Sequence, residues 1–143
     1  MAAALSARLR EIVDALPLQP GMRVLEIGCG PGAMAREIAL RLQGRGFVLA
    51  IDRSATAIGQ AEAASADEIA DGMLAFRQSA AETFALAKDE ETFDLAVAIR
   101  VGALDGRHPE AGILARAAIK AALKPGGILL IDGGAPLRPV DLG

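Results

Sequence analysis

Three glycines lie close together directly after an apolar segment near the start of the chain. Gly28, Gly30 and Gly32 fall within the run V-L-E-I-G-C-G-P-G, which extends from Val24 to Gly32. Because glycine has no Cβ atom, the backbone of such a loop can adopt turns closed to other residues, and a ligand can lie directly against it. A helical pattern follows at once, and the free N–H groups at a helix start favour negatively charged ligand groups. The segment is typical of a nucleotide-binding loop.

A carboxylate closes the next apolar segment. Asp52 follows Phe47–Ile51, about 20 residues beyond the glycine loop, where an acid can accept hydrogen bonds from both hydroxyls of a ribose. The alternative is a solvated loop acid. Loop and acid together predict a nucleoside cofactor but do not identify it, because Gly28, Gly30 and Ala33 also satisfy the dinucleotide pattern GxGxxG/A.

Helices and strands alternate along the chain and position these residues. Apolar periodicity predicts helices over residues 3–16, 33–43, 54–72 and 83–88 and from Pro109 to Ala121. Nearly continuous apolar runs predict strands at Met22–Ile27, Phe47–Ile51, Met73–Gln78, Phe93–Ile99 and Ile128–Ile131. Strands of this kind, alternating with helices, indicate a parallel sheet covered on both faces. Ligands of such sheets bind beyond the carboxyl ends of the strands.

Composition limits the class of protein. At 143 residues and 52% hydrophobic content the chain can bury one core, so residues 1–143 are predicted to form a single domain. A net charge of -3 with scattered basic residues argues against a nucleic-acid partner. A single cysteine excludes an internal disulfide and favours the reducing cytoplasm. No apolar run approaches the roughly 18 residues of a membrane span, so no membrane partner is expected.

The ordered motifs resemble those of class I S-adenosylmethionine-dependent methyltransferases. V-L-E-I-G-C-G-P-G, the acid in A-I-D-R-S, the F-D-L strand and L-K-P-G-G follow one another in the family's order between Leu5 and Asp132. Glu26 before the first glycine, Pro31 within the loop and the downstream L-K-P-G-G favour this family over dinucleotide enzymes. The resemblance implies an α/β, Rossmann-like three-layer sandwich. Its mostly parallel five-stranded sheet would have the order 3-2-1-4-5, with helices on both faces.

The resemblance also implies a set of cofactor-binding positions. Glu26 matches the acid that supports the methionine end of S-adenosylmethionine, and Asp52 matches the ribose acid. Ala80 and Ala81 fall where the family commonly has an acid that contacts the adenine amino group, and that acid is absent here unless Glu82 replaces it. The implied cofactor-binding residues are Glu26, Gly28, Cys29, Gly30, Gly32, Asp52, Arg53, Ala80, Ala81 and Arg100.

Three side chains have two interpretations each. Cys29 is a nucleophile if the helix start lowers its thiol pKa, or a small side chain packed behind the glycines, which is the favoured interpretation. His108 is the one ready general base, but its place directly before Pro109 favours a loop or capping role. Arg100 can fork around an acidic group of a ligand or serve as a structural charge. Arg100 and His108 are the catalytic candidates, and no metal site is predicted.

The resemblance implies an enzyme in which a substrate atom attacks the methyl carbon of the sulfonium in line. The segment I-R-V-G after the fourth strand lacks the (N/D)-P-P-(Y/F) motif of many amino-methylating enzymes, and the chain has neither Trp nor Tyr for base stacking. A small-molecule acceptor is therefore expected. Two alternatives stay open: a non-catalytic S-adenosylmethionine-binding module or subunit, and an NAD-dependent oxidoreductase.

The edge of the last predicted strand needs a cover. The chain ends at Gly143 soon after this strand, and an unpaired strand edge favours association. We expect either the tail, Ala135–Leu142, to cover the edge or a second copy to pair with it in a homodimer.

Overall fold

The computed structural model describes residues 5–143, and these contain one six-stranded sheet. Its strands are β1 (Arg23–Ile27), β2 (Phe47–Asp52), β3 (Leu74–Gln78), β4 (Phe93–Ala98), β5 (Leu123–Asp132) and β6 (Leu137–Val140). The spatial order is β3-β2-β1-β4-β5-β6, in which the first five strands are parallel and β6 is antiparallel to β5. The predicted sheet and its 3-2-1-4-5 order are thus confirmed, and one further strand is added.

Helices cover both faces of the sheet, as predicted. They are α1 (Ala7–Ala15), α2 (Ala33–Arg41), α3 (Ala55–Ala64), α4 (Ala66–Ala70) and α5 (Pro109–Ala122). One core cluster joins α1, α2 and α3 to the sheet, and a second joins α5 and the segment after β3 to the opposite face. The predicted cap at Ser54 is present, since its Oγ accepts the backbone N–H of Ala57 at 3.1 Å. The predicted start of the first helix at Ala3 lies outside the described residues.

Two helix predictions differ from the structure, since one helix is broken and the other does not form. The helix expected over residues 54–72 breaks at Ser65, a fully buried residue that separates α3 from α4. The helix expected over residues 83–88 is absent, and only a short 3-10 turn forms at Ala81–Thr83. The Glu90 carboxylate accepts the N–H of Ala87 at 2.9 Å and pairs with Arg77 at 2.7 Å. These bonds fold the segment into a turn, because they take a backbone donor away from a helix.

The tail accounts for the sixth strand. β6 pairs along the outer edge of β5, with Leu129 opposite Val140 and Asp132 opposite Leu137. Of the two predicted ways of covering this edge, the tail is the one observed. Pro139 lies in the new edge strand and has no N–H to offer a further strand. No helix within residues 5–143 is both long and apolar enough to cross a membrane.

Candidate functional site

The glycine loop adopts a backbone that few other residues could follow. Gly28, Gly30 and Gly32 have φ values of 76°, 53° and 88°, in the left-handed region. A Cβ atom at Gly28 would lie 2.8 Å from Cγ2 of Val101, so this position also requires the absence of a side chain. The N–H groups of Gly28 and Cys29 donate to the Ile51 carbonyl at 2.8 and 3.0 Å. The loop is therefore fastened to the end of β2.

Asp52 holds the loop from the same strand end. Its Oδ2 accepts the N–H of Gly30 at 2.9 Å, and its Oδ1 accepts the N–H of Ser54 at 2.9 Å. Each carboxylate oxygen has a second lone pair that can accept another donor. Asp52 is half-buried and lines the cleft described below. Because two backbone N–H groups bind its carboxylate, the chain itself orients this group before any ligand arrives.

Glu26 lies at the end of β1 with an unsatisfied carboxylate. The residue is 3% exposed, and its Oε1 atom has no hydrogen-bond partner among residues 5–143. The pKa of Glu26 is raised to about 8, chiefly by burial and then by the charge of Asp52, while the charge of Arg36 opposes both. A buried acceptor without a donor is costly and uncommon. The site therefore lacks a hydrogen-bond donor for Glu26, and a cationic group is the best complement to this carboxylate.

A cleft of about 980 Å³ opens beyond the carboxyl ends of β1 to β4. Of the residues predicted from the sequence, it is lined by Gly28, Asp52, Arg53, Ala80, Ala81, Arg100 and His108, with Glu82 beside them. Glu26, Cys29, Gly30 and Gly32 do not line it. Glu26, near the end of β1, and Cys29, within the glycine loop, are buried instead. The structure thus brings the predicted positions to one end of the sheet, some of them at the surface of the cleft and others in or beneath the glycine loop.

Cys29 is not placed as a nucleophile. Its side chain is 6% exposed and belongs to the core cluster under α2, and its Sγ lies 3.5 Å from the Gly30 carbonyl oxygen. Burial, followed by the charges of Glu26 and Asp52, raises the thiol pKa well above its ordinary value. The thiolate that a nucleophile needs is therefore disfavoured.

His108 is the residue directly before α5. Its backbone N–H donates to the Gly102 carbonyl at 3.0 Å, and its own carbonyl accepts the N–H of Gly112 at 2.9 Å. The ring packs against Gly102, where an added Cβ would lie 2.5 Å from the His108 Cδ2 atom. The residue thus shapes the turn into α5, and it also lines the cleft.

Arg100, just beyond β4, has a left-handed backbone that other side chains brace. Its φ is 57°, its N–H donates to Oδ1 of Asp132 at 3.1 Å, and its carbonyl accepts from the Arg107 guanidinium at 3.0 Å. Arg107 is in turn paired with Asp105 at 2.8 Å. Across the described part of the chain, no three His, Cys, Asp or Glu residues are grouped to hold a metal ion.

Sequence reasoning missed one residue that contacts the loop, Arg36 on α2. Its Nη1 donates to the Pro31 carbonyl and to Oγ of Ser65, at 3.0 Å each. In the sequence Arg36 reads as an ordinary charge on α2, since nothing in the local pattern reveals that Ser65 lies beside it. Its place four residues after Gly32 was the one available signal.

Known proteins share this fold. The sequence model of a methyltransferase domain family matches residues 18–136. No curated protein matches the chain. Among solved structures, coclaurine N-methyltransferase bound to N-methylheliamine and S-adenosylhomocysteine superposes with a TM-score of 0.70 at 22% identity, over 87% of this chain and 34% of that one.

Two further structures extend the comparison. A SAM-dependent methyltransferase from Geobacter sulfurreducens, in complex with S-adenosylhomocysteine, has a TM-score of 0.67 at 23% identity, over 90% of this chain and 48% of that one. The cyclase SpnF has a TM-score of 0.68 at 26% identity, over 87% of this chain and 43% of that one. The chain thus spans at most about half the length of these proteins. Because the family model covers most of the chain, the chain belongs to the methyltransferase domain family.

Proposed function

We propose that this chain binds S-adenosylmethionine and transfers its methyl group to a small-molecule acceptor by direct displacement. The observation that carries the proposal is the buried, unpartnered carboxylate of Glu26 beside the glycine loop. The donor that this carboxylate lacks is supplied by an ammonium group, and the methionine end of the cofactor has one. An ion pair or a bridging water there would satisfy the orphaned oxygen.

Other residues fit the rest of the cofactor. Asp52 is held with free lone pairs towards the cleft and suits the ribose hydroxyls. Ala80 and Ala81 offer a small apolar surface for adenine, with Glu82 and Arg53 on the same cleft wall. A nicotinamide dinucleotide fits less well, because the pyrophosphate that lies over such a loop has no donor for the unpaired Glu26 oxygen.

The bound cofactor supplies an electrophilic methyl group on a sulfonium sulfur. The chain's residues then have to hold the acceptor, exclude water and orient both partners, which needs no catalytic triad. The wall formed by Arg100 to His108 is the part of the cleft left for the acceptor. Asp132 and Arg107 hydrogen-bond to the backbone of Arg100 and so hold its conformation. Arg100 and His108 remain candidates for contact with the acceptor.

The cleft volume of about 980 Å³ supports a cofactor together with a small acceptor. The net charge of -3 and the absence of Trp and Tyr give no support to a nucleic-acid acceptor. The single cysteine is compatible with a cytoplasmic protein. A homodimer is not required to cover β5, because β6 already does so.

Calorimetric titration with S-adenosylhomocysteine tests the proposal, with NAD as the competing ligand. The wild-type chain should bind the former and not the latter. Asp52→Ala should weaken binding, whereas Asp71→Ala, an exposed acid after α4, should leave it unchanged. Binding of NAD alone would favour the oxidoreductase, and binding of neither would overturn the proposal. Methyl transfer to members of an acceptor panel then separates an enzyme from a non-catalytic module.

A further inference from the structure

Arg36 connects the glycine loop to the neighbouring helix pair. The two acceptors of its Nη1, each at 3.0 Å, come from different elements. The Pro31 carbonyl belongs to the loop, between Gly30 and Gly32. The Ser65 hydroxyl is fully buried at the break between α3 and α4. One side chain therefore sets the distance between the loop and this break.

The loop leaves room for this side chain at Gly32. A Cβ atom at Gly32 would lie 3.0 Å from Nη1 of Arg36, 2.9 Å from Cζ of Phe76 and 3.1 Å from Cβ of Ala61. Any side chain at this position would push against the guanidinium as well as against the core. The glycine and the arginine thus form one packed unit.

Arg36 also places a positive charge near the acids of the site. The groups that face Glu26 electrostatically are Asp52, at the end of β2, and Arg36, on α2. The thiol of Cys29, in the loop, is affected in turn by both acids. Of these groups only Arg36 favours the ionised form of Glu26, and the ionised form is the one that can pair with an ammonium.

We propose that Arg36 is a positioning residue of the cofactor site, which holds the Pro31 turn of the loop against Ser65. The inference rests on the proposed function, since it concerns the grip of the same site on the same ligand. Arg36 acts through the loop and through Glu26. Its loss should loosen the loop and leave Glu26 protonated over a wider range of pH.

Three variants of α2 separate these effects. Arg36→Met removes both the hydrogen bonds and the charge. Arg36→Lys keeps the charge and the aliphatic stem but cannot reproduce the guanidinium geometry. Arg41→Met is the matched control, because Arg41 lies on the same helix and pairs with Asp14 and Glu37, away from the loop. If Arg36→Met does not fold, Arg36→Lys carries the test.

The first readout is the Kd for S-adenosylhomocysteine from about pH 6 to about pH 9, the range that brackets the native pKa of Glu26. Wild-type binding should strengthen as pH rises and Glu26 ionises, up to the pH at which the ligand ammonium loses its own proton. Arg36→Met should weaken binding about tenfold near neutral pH and move the rise to higher pH. Arg36→Lys should weaken binding but leave the pH at which binding strengthens unchanged. Arg41→Met should change neither the affinity nor this pH. A merely structural role would not move the pH profile.

The second readout needs no ligand. Amide hydrogen exchange at Gly30 and Gly32 should be faster in Arg36→Met than in the wild type and in Arg41→Met. If Arg36→Met binds with the affinity and pH profile of Arg41→Met, the inference is overturned and the proposed function stands. If the wild type does not bind, the proposed function fails, and unchanged exchange would then also refute the part played by Arg36 in holding the loop.

Discussion

Replacing Glu26 with glutamine is expected to stabilise the ligand-free protein while weakening its grip on the cofactor. Glu26 is 3% exposed with an unpaired Oε1, so its charged form loses hydration without gaining a partner. Glutamine keeps the shape of the side chain and removes the charge. The two effects have opposite signs, because the charge that destabilises the free fold is the charge that would pair with the ligand ammonium.

The raised pKa sets the size and the pH window of the effect. Glu26 has a pKa of about 8 in the fold against 4.5 as the reference, so within this window the native state retains a proton that the unfolded chain releases. The stability of the wild type therefore falls as pH rises through the window. At about 1.4 kcal/mol per pH unit, the whole interval from 4.5 to about 8 corresponds to about 5 kcal/mol, and the part below pH 7 to about 3 kcal/mol.

Urea unfolding of the ligand-free protein at about pH 5, 7 and 9 measures this directly. Glu26→Gln should exceed the wild type by less than about 1 kcal/mol at the lowest pH, with a difference that grows to its full value at the highest. Glu90→Gln is the control of opposite sign, because the hydrogen bonds from Arg77 hold the pKa of Glu90 below its ordinary value. That variant should be less stable than the wild type at neutral pH. A Glu26→Gln protein that is less stable at every pH, or whose advantage is constant, would refute the reasoning.

Two other predictions concern the loop and the tail. Gly28→Ala should lower both the melting temperature and the affinity for S-adenosylhomocysteine more than Gly30→Ala does. Both positions have positive φ, which costs a side chain about 1 to 2 kcal/mol, but only the Cβ at Gly28 meets Val101, at 2.8 Å, while that at Gly30 meets nothing within 4 Å. Equal losses would contradict this. Removal of residues 136–143 should cause self-association in sedimentation experiments, because β5 loses its partner strand; an unassociated truncated chain would show that the edge needs no cover.

The sheet and the glycine loop could be predicted because their signals are local. Runs such as those of β2 and β4 are nearly continuously apolar, as expected for strands buried on both faces, and their alternation with helices indicates a parallel sheet. The spacing of Gly28, Gly30 and Gly32 marked a backbone with positive φ, which the structure confirms.

The remaining features depend on partners that are distant in sequence. Arg36 and Ser65 are 29 residues apart, and the break between α3 and α4 has no glycine or proline to announce it. β6 is four residues long and contains Pro139, so it carries none of the usual strand pattern. The turn after β3 depends on Glu90 meeting Arg77, a contact that helical periodicity does not encode. Such contacts form only once the chain has folded, so they cannot be predicted from local sequence patterns.

The two parts of the candidate site differ in how their local energetic costs are balanced, and this difference explains what the sequence reveals. At the wall proposed for the acceptor, hydrogen bonds to Asp132 and from Arg107 offset the left-handed backbone of Arg100. Beside the glycine loop, where the cofactor is proposed to bind, Oε1 of Glu26 has no partner, and a ligand that brings a donor would satisfy it. A ligand that supplies the missing donor gains binding free energy by removing this cost. Only a few residue types can create such a cost, so these positions are restricted. The part proposed to bind the cofactor therefore left a recognisable pattern in the sequence, whereas the part proposed for the acceptor, which is satisfied within the chain, did not.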